Sequence, residues 1–157
     1  MSAEENKEIA RRTYAAFEEG FRTGNFDALD EVTDANLVDH NPDPGQAPGL
    51  EGVKRAFASR AAAFSNARII VEDLIAEGDK VVARVTTRAT HRGEVFGVPP
   101  TGREVTAGLI DILRISGGKV VERWGQFDNL GLLQQIGAIP APSGPAPASG
   151  PSQATDR

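Results

Sequence analysis

The hydrophobic pattern changes period once along the chain. Ile9, Thr13, Phe17 and Phe21 recur at every fourth position, with Ala10 and Tyr14 beside them, which predicts one buried face of a helix. Ser2 can cap that helix, Glu4 and Glu5 suit its positive end, and Gly24–Asn25 stop it. "DALDEVT" (27–33) reads as a short second helix. "NLVDHNPDPGQAPG" (36–49) opens as a brief strand and turns into a loop with three prolines. A third helix is expected over Gly52 to Ser65, with Val53, Phe57, Ala61 and Phe64 at helical spacing.

From there the period is two. Strands are predicted over Arg68 to Ala76, Asp79 to Gly93 and Arg103 to Ser116, then from Gly118 onward, separated by the turn signals "EGDK" and "SGGK". In the second of these, Val81, Ala83, Val85, Thr87, Ala89 and His91 share one face, while Val82, Arg84, Thr86, Arg88 and Thr90 take the other. Helices first and long, tightly connected strands afterwards describe an α+β domain with a mainly antiparallel sheet. Strands this long are expected to curl, and a curled sheet with helices across its concave side is expected to leave a pocket open at one end.

Composition narrows the domain and its partners. Of the 157 residues, 39% are hydrophobic and 25% charged, as in an ordinary globular domain. The stretch from Pro140 to Arg157 is rich in Pro, Ala, Ser and Gly with no aliphatic side chain larger than Ala, so the folded unit is read as residues 1–139 and 140–157 as a disordered tail. Net charge is −5, and the basic residues are scattered, which argues against nucleic acid or an anionic membrane as partner. No apolar run approaches a spanning length, and the polar start has no apolar signal core, so a cytoplasmic location is expected. There is no cysteine and only two histidines, far apart, so no metal site is expected. No phosphate-binding glycine loop or nucleophile elbow is present.

The candidate chemistry lies in "GKVVERWGQFDNLGLLQQIG" (118–137). By simple alternation Glu122, Trp124, Gln126 and Asp128 share a face. Two readings are open. Glu122 and Asp128 pair with arginines at the rim while Trp124 packs, or the four line a cavity. In a cavity, a carboxyl group withdrawn from water resists ionisation and becomes suited to proton transfer. Asp128 can equally cap the short helix that follows. Asp111 sits among Val105, Ala107, Leu109, Leu113 and Ile115, a carboxylate on an apolar face that needs a partner or a proton. His91 ends an apolar face, and His40 stands where a strand meets the Pro-rich loop.

These stretches resemble a known family. "THRGEVFGVPPTGREV" (90–105), then "GLIDILRI", "GKVVERWGQFD" and the closing "LLQQIG" follow the pattern of the SnoaL-like polyketide and ester cyclases, and "VDHNP" and "PGLEGVKRAF" fit it too. The resemblance covers most of residues 5 to 137. It implies the nuclear transport factor 2-like fold, a cone-shaped curved sheet, an α+β barrel wrapped against about three helices. It also implies a homodimer and ring closure of a polyketide-like substrate by intramolecular aldol condensation, without metal or cofactor. By motif position it makes Asp128 the acid/base and puts His91 and His40 in the pocket, where either is expected to hydrogen-bond the developing oxyanion. Tyr14, Asp111, Glu122, Trp124 and Gln126 would line the pocket.

Two other functions remain open at this level. An epoxide hydrolase or isomerase of the same superfamily would use two carboxylates and an arginine to activate water. Asp111 and Asp128 could be the carboxylates, but no arginine sits between them on the expected inward face. A non-catalytic module binding a small apolar ligand, or dimerising, needs only the pocket.

Overall fold

The computed structural model describes residues 1–143; most of the expected tail lies outside the described residues. Helix α1 (Ala3–Thr23) begins at Ser2, whose hydroxyl accepts the Glu5 N–H while Glu5 accepts the Ser2 N–H, a reciprocal capping box. It ends at Gly24, whose φ of 80° is the left-handed conformation that glycine adopts at least cost. Asp27–Glu31 forms a single 3-10 turn. Strand β1 (Thr33–Asp39), helix α2 (Gly49–Ala63) and strand β2 (Phe64–Glu77) follow. Then come β3 (Lys80–His91), β4 (Glu104–Ser116), β5 (Lys119–Phe127) and a short α3 (Asn129–Gln135). The strand expected from Arg68 begins four residues earlier, at Phe64, because α2 passes into β2 there with no intervening loop.

The five strands form one sheet in the order β1-β5-β4-β3-β2. All pairs are antiparallel except β1–β5, which is parallel. The α+β class and the mainly antiparallel sheet are as expected. The sheet curls around the helices as expected without closing on itself, and β1 and β2 remain as its edges.

Its concave face carries the core. Val81, Ala83 and Val85 of β3, Leu113 and Ile115 of β4 and Val120 of β5 pack against Ile9, Ala10 and Tyr14 of α1 and Val53 of α2. Phe26, Leu29 and Val32 close a second cluster beneath the helices, where Gly20 leaves room for the Phe26 ring. A third cluster, Ala63, Phe64, Val105, Leu132 and Ile136, seats α3 on the end of the sheet.

One irregularity decides which side chains face inward. Arg114 pairs with Glu122, but Ile115 pairs with Val120, so β5 carries one extra residue at Val121. Such a bulge reverses the alternation beyond it. Val120 is inward, and so are Arg123, Gly125 and Phe127, which lie opposite Leu113, Asp111 and Leu109.

Candidate active site

The inward face of β4 and β5 carries a buried polar cluster. Asp111 is 4% exposed. Its Oδ2 accepts the Tyr14 hydroxyl at 2.8 Å and its Oδ1 accepts Arg123 Nη2 at 2.9 Å. Arg123 Nη1 donates to both oxygens of Asp39, at 3.2 and 3.4 Å. Asp39 also accepts Gln46 Nε2 and the Asn41 N–H, and Asn41 accepts the Gly125 N–H at 2.9 Å. The result is a carboxylate–guanidinium–carboxylate row ending in a phenol.

Electrostatics holds the protons where the hydrogen bonds need them. Burial first, and then the Asp111 charge, push the Tyr14 phenol well above its ordinary range, so it stays a donor. Burial works against the charge on Arg123, but Asp111 and Asp39 outweigh it and raise the guanidinium further. Gly125 is part of the packing: any side chain there would collide with Arg123 Nη2 and Asp111 Oδ1.

Tyr14, Asp111 and Arg123 of this cluster line a mainly apolar cavity of about 130 Å³. Phe17 and Phe21 of α1, Phe57 of α2 and Phe127 of β5 supply much of its wall, with Val95 and Phe96 at the lip. A second, polar recess adjoins it at Arg123 and Arg60, bordered by Asp39, Asn41, Asp43 and Gln46. Asp111 keeps acceptor capacity on both oxygens beyond the bonds it already makes, and Arg123 has more N–H donors than its two partners occupy. The arrangement can therefore take a proton from, and donate hydrogen bonds to, a molecule in the cavity.

Of the eight expected site residues, Tyr14 and Asp111 are brought together at the cavity. Glu122, Trp124 and Gln126 are not pocket-lining in the cavity, because the bulge at Val121 turns them to the outer face of the sheet. There Trp124 stacks on His40, with ring centroids 4.6 Å and planes 3° apart. Glu122 bridges Arg114 Nε at 2.6 Å and His40 Nε2 at 2.7 Å, and these bonds, Arg114 first, hold its carboxyl below the usual range. Gln126 is exposed at the rim of the polar recess. His40 thus belongs to the outer face and not to the cavity.

His91 is fully buried and does not line the cavity. Its Nδ1 accepts the Thr101 N–H at 3.3 Å and lies 3.0 Å from the Thr101 hydroxyl, tying the loop after β3 to the strand. Asp128 is exposed, and its Oδ1 accepts the Gly131 N–H at 2.9 Å as the N-cap of α3. Its carboxylate does not line the cavity. Among the described residues, no three His, Asp or Glu side chains are grouped to share a metal ion, and no helix is long and apolar enough to cross a membrane.

Arg123, Asp39 and Asn41 escape a reading by alternation. Arg123 falls on the outward parity until the bulge is known, and Asp39 sits on an edge strand paired parallel to β5. "VDHNP" was a signal that this corner matters, but it pointed to the histidine where its neighbours Asp39 and Asn41 make the contacts.

Comparison with known proteins identifies the family and the fold. The family model for SnoaL-like polyketide cyclases matches residues 10–136. The aklanonic acid methyl ester cyclase DauD of Streptomyces sp. (strain C5) is 30% identical over 140 residues, covering 85% of each chain. The nogalonic acid methyl ester cyclase of Streptomyces nogalater is 29% identical over 122 residues, covering 74% of this chain and 89% of its own. The structure of TsrD from Streptomyces laurentii superposes with a TM-score of 0.78 at 31% identity, over 88% of this chain and 99% of that one.

Proposed function

The chain belongs to the SnoaL-like polyketide cyclase family, and from that premise we propose that it closes a ring in a polyketide-like, carbonyl-rich molecule by an intramolecular aldol reaction without a cofactor. The observation that carries the reading is Asp111, held by Tyr14 and Arg123 in the wall of a mainly apolar cavity.

The reaction suits such a site. Asp111 takes a proton from a carbon flanked by carbonyls, and the electron pair left behind attacks a ketone carbon of the same molecule. The ketone's π pair moves to its oxygen, which receives the proton from Asp111. One C–C bond forms, the proton returns to the substrate, and product and substrate are isomers, so no co-reactant is consumed. The free N–H groups of Arg123 are the donors for the negative oxygen that develops on the way. Apolar walls that hold the two ends together can supply on the order of 7–11 kcal/mol of the barrier lowering. This assigns the proton transfer to Asp111 and not to Asp128, whose carboxylate is occupied with a helix cap in solvent.

A specific observation also favours a second reading. Asp39–Arg123–Asp111 is the row of two carboxylates about an arginine that water activation for epoxide opening requires. One experiment separates the two. The protein is incubated with aklanonic acid methyl ester, and separately with a small cyclic epoxide, in ¹⁸O-labelled water. A cyclase yields a ring-closed isomer of unchanged mass from the first. An epoxide hydrolase yields a diol carrying solvent oxygen from the second. Turnover of neither leaves a ligand-binding module.

The outer sheet face is the surface we assign to a homodimer. Ile110, Ile112 and Val38 are exposed there, and Trp124 lies opposite Ile112 across the β4–β5 pair. Sedimentation velocity reads the state directly, and Ile112→Glu should shift a dimer to monomer.

A further inference from the structure

The loop between β3 and β4 is fixed at its base and strained at its tip. At the base, the N–H groups of Arg92 and Gly93 both donate to the Ala63 carbonyl, at 2.8 and 2.9 Å. A side chain at Gly93 would meet Ala62 O at 2.7 Å, so the stem lies hard against the end of α2. His91 and Thr101 clasp the other side. At the tip, Val95 and Val98 exchange backbone hydrogen bonds of 3.2 and 2.8 Å around Phe96 and Gly97.

Both tip residues have positive φ, 51° at Phe96 and 74° at Gly97. That is the requirement of a type I′ turn, where Asn-Gly or Asp-Gly is favoured. A phenylalanine in the left-handed region is strained. The residue is also 57% exposed, yet it contributes to the cavity lip. In the free protein neither the strain nor the exposure is compensated.

The size of the cavity suggests what compensates them. A void on the order of 150 Å³ accommodates one benzene ring, and this cavity is about 130 Å³. A fused polycyclic substrate with one ring inside must therefore carry its next ring out past the lip. We propose that Phe96 is a specificity-determining residue that stacks on this second ring and selects substrates of two or more fused aromatic rings. The proposal rests on the reading of the cavity as the substrate site.

Calorimetric titration of the full chain with two probes tests it: 1,8-dihydroxyanthraquinone, with three fused rings, and 2-hydroxyacetophenone, with one. Phe96→Asn retains a residue suited to the turn, and Phe96→Leu keeps apolar bulk without an aromatic face. The expected result is an affinity for the anthraquinone about five- to tenfold lower in both variants, with the one-ring probe unchanged. The thermal midpoint of Phe96→Asn should equal or exceed that of the parent. Equal losses on both probes, no loss on the anthraquinone, or a lowered midpoint in Phe96→Asn overturns the role of Phe96 while leaving the cavity reading intact. Failure of both probes to bind the parent protein overturns the cavity reading, and this proposal with it.

Discussion

Arg123 and Asp111 meet at 2.9 Å inside the curl of the sheet, and the same guanidinium holds Asp39 at 3.2 Å. The two carboxylate side chains are 5% and 7% exposed, so neither has much water to fall back on. Removing the arginine strands both charges. Arg123→Met should therefore destabilise the fold by about 3–5 kcal/mol, read from urea unfolding at neutral pH. A loss under about 1 kcal/mol would mean the row is solvated.

Asp111→Asn keeps the shape of the side chain and one acceptor oxygen, for either Tyr14 or Arg123, and removes the base, so kinetics are read per folded molecule. Turnover of a cyclisable substrate should fall about 10²–10⁴-fold with little change in KM, since the cavity walls are untouched. A fall in affinity with kcat preserved would make Asp111 a binding group and not the proton carrier.

Tyr14 is the only tyrosine in the chain, so phenolate absorbance near 295 nm reports it without overlap from a second phenol. Burial and the neighbouring Asp111 raise its pKa. A group whose folded value lies above its unfolded one near ~10 adds stability that is complete below that pH. The contribution is lost as the pH climbs toward the folded value. The folded protein should show no phenolate step around pH 10, and the signal should appear together with alkaline unfolding. A reversible step near pH 10 in the folded state refutes the buried hydrogen bond.

The same small region shows why the fold was more legible than the site. Helix α1 could be read from Ser2, the fourfold spacing of Ile9, Thr13 and Phe17, and Gly24, because capping and burial act within a few residues. The strands followed from alternation for the same reason. Which face of β5 is inward depends on a single inserted residue, Val121, and on its pairing with β4, a non-local relation that alternation does not encode. Asp111 was recognisable because it interrupts an otherwise apolar face, whereas Arg123 was hidden by the bulge. Trp124 suggested a cavity, but its ring is covered on the outer surface by His40.

Gly125 lies directly opposite Asp111 on the neighbouring strand. A methyl group at this position would overlap both Arg123 Nη2 and Asp111 Oδ1, which cannot part without losing their ion pair. Gly125→Ala should lower turnover at least about tenfold and destabilise by roughly 1–3 kcal/mol, the cost of overpacking. A crystal structure of the variant should show Arg123 displaced from Asp111. Unchanged activity would show that the contact between the two is dispensable.

Asp128 separates a helix cap from an acid/base catalyst. Its Oδ1 accepts the Gly131 N–H at 2.9 Å, a bond that an asparagine oxygen makes equally well. Asp128→Asn should then retain both stability and turnover, because the cap survives and the proton carrier lies elsewhere. Asp128→Ala should lose the cap and about 0.5–2 kcal/mol of stability, with kcat per folded molecule unchanged. Urea unfolding and steady-state kinetics on the two variants make the comparison. Asparagine keeps the geometry and removes only the ionisable oxygen, so a collapse of kcat in Asp128→Asn at full stability would return the proton transfer to this residue and remove it from Asp111.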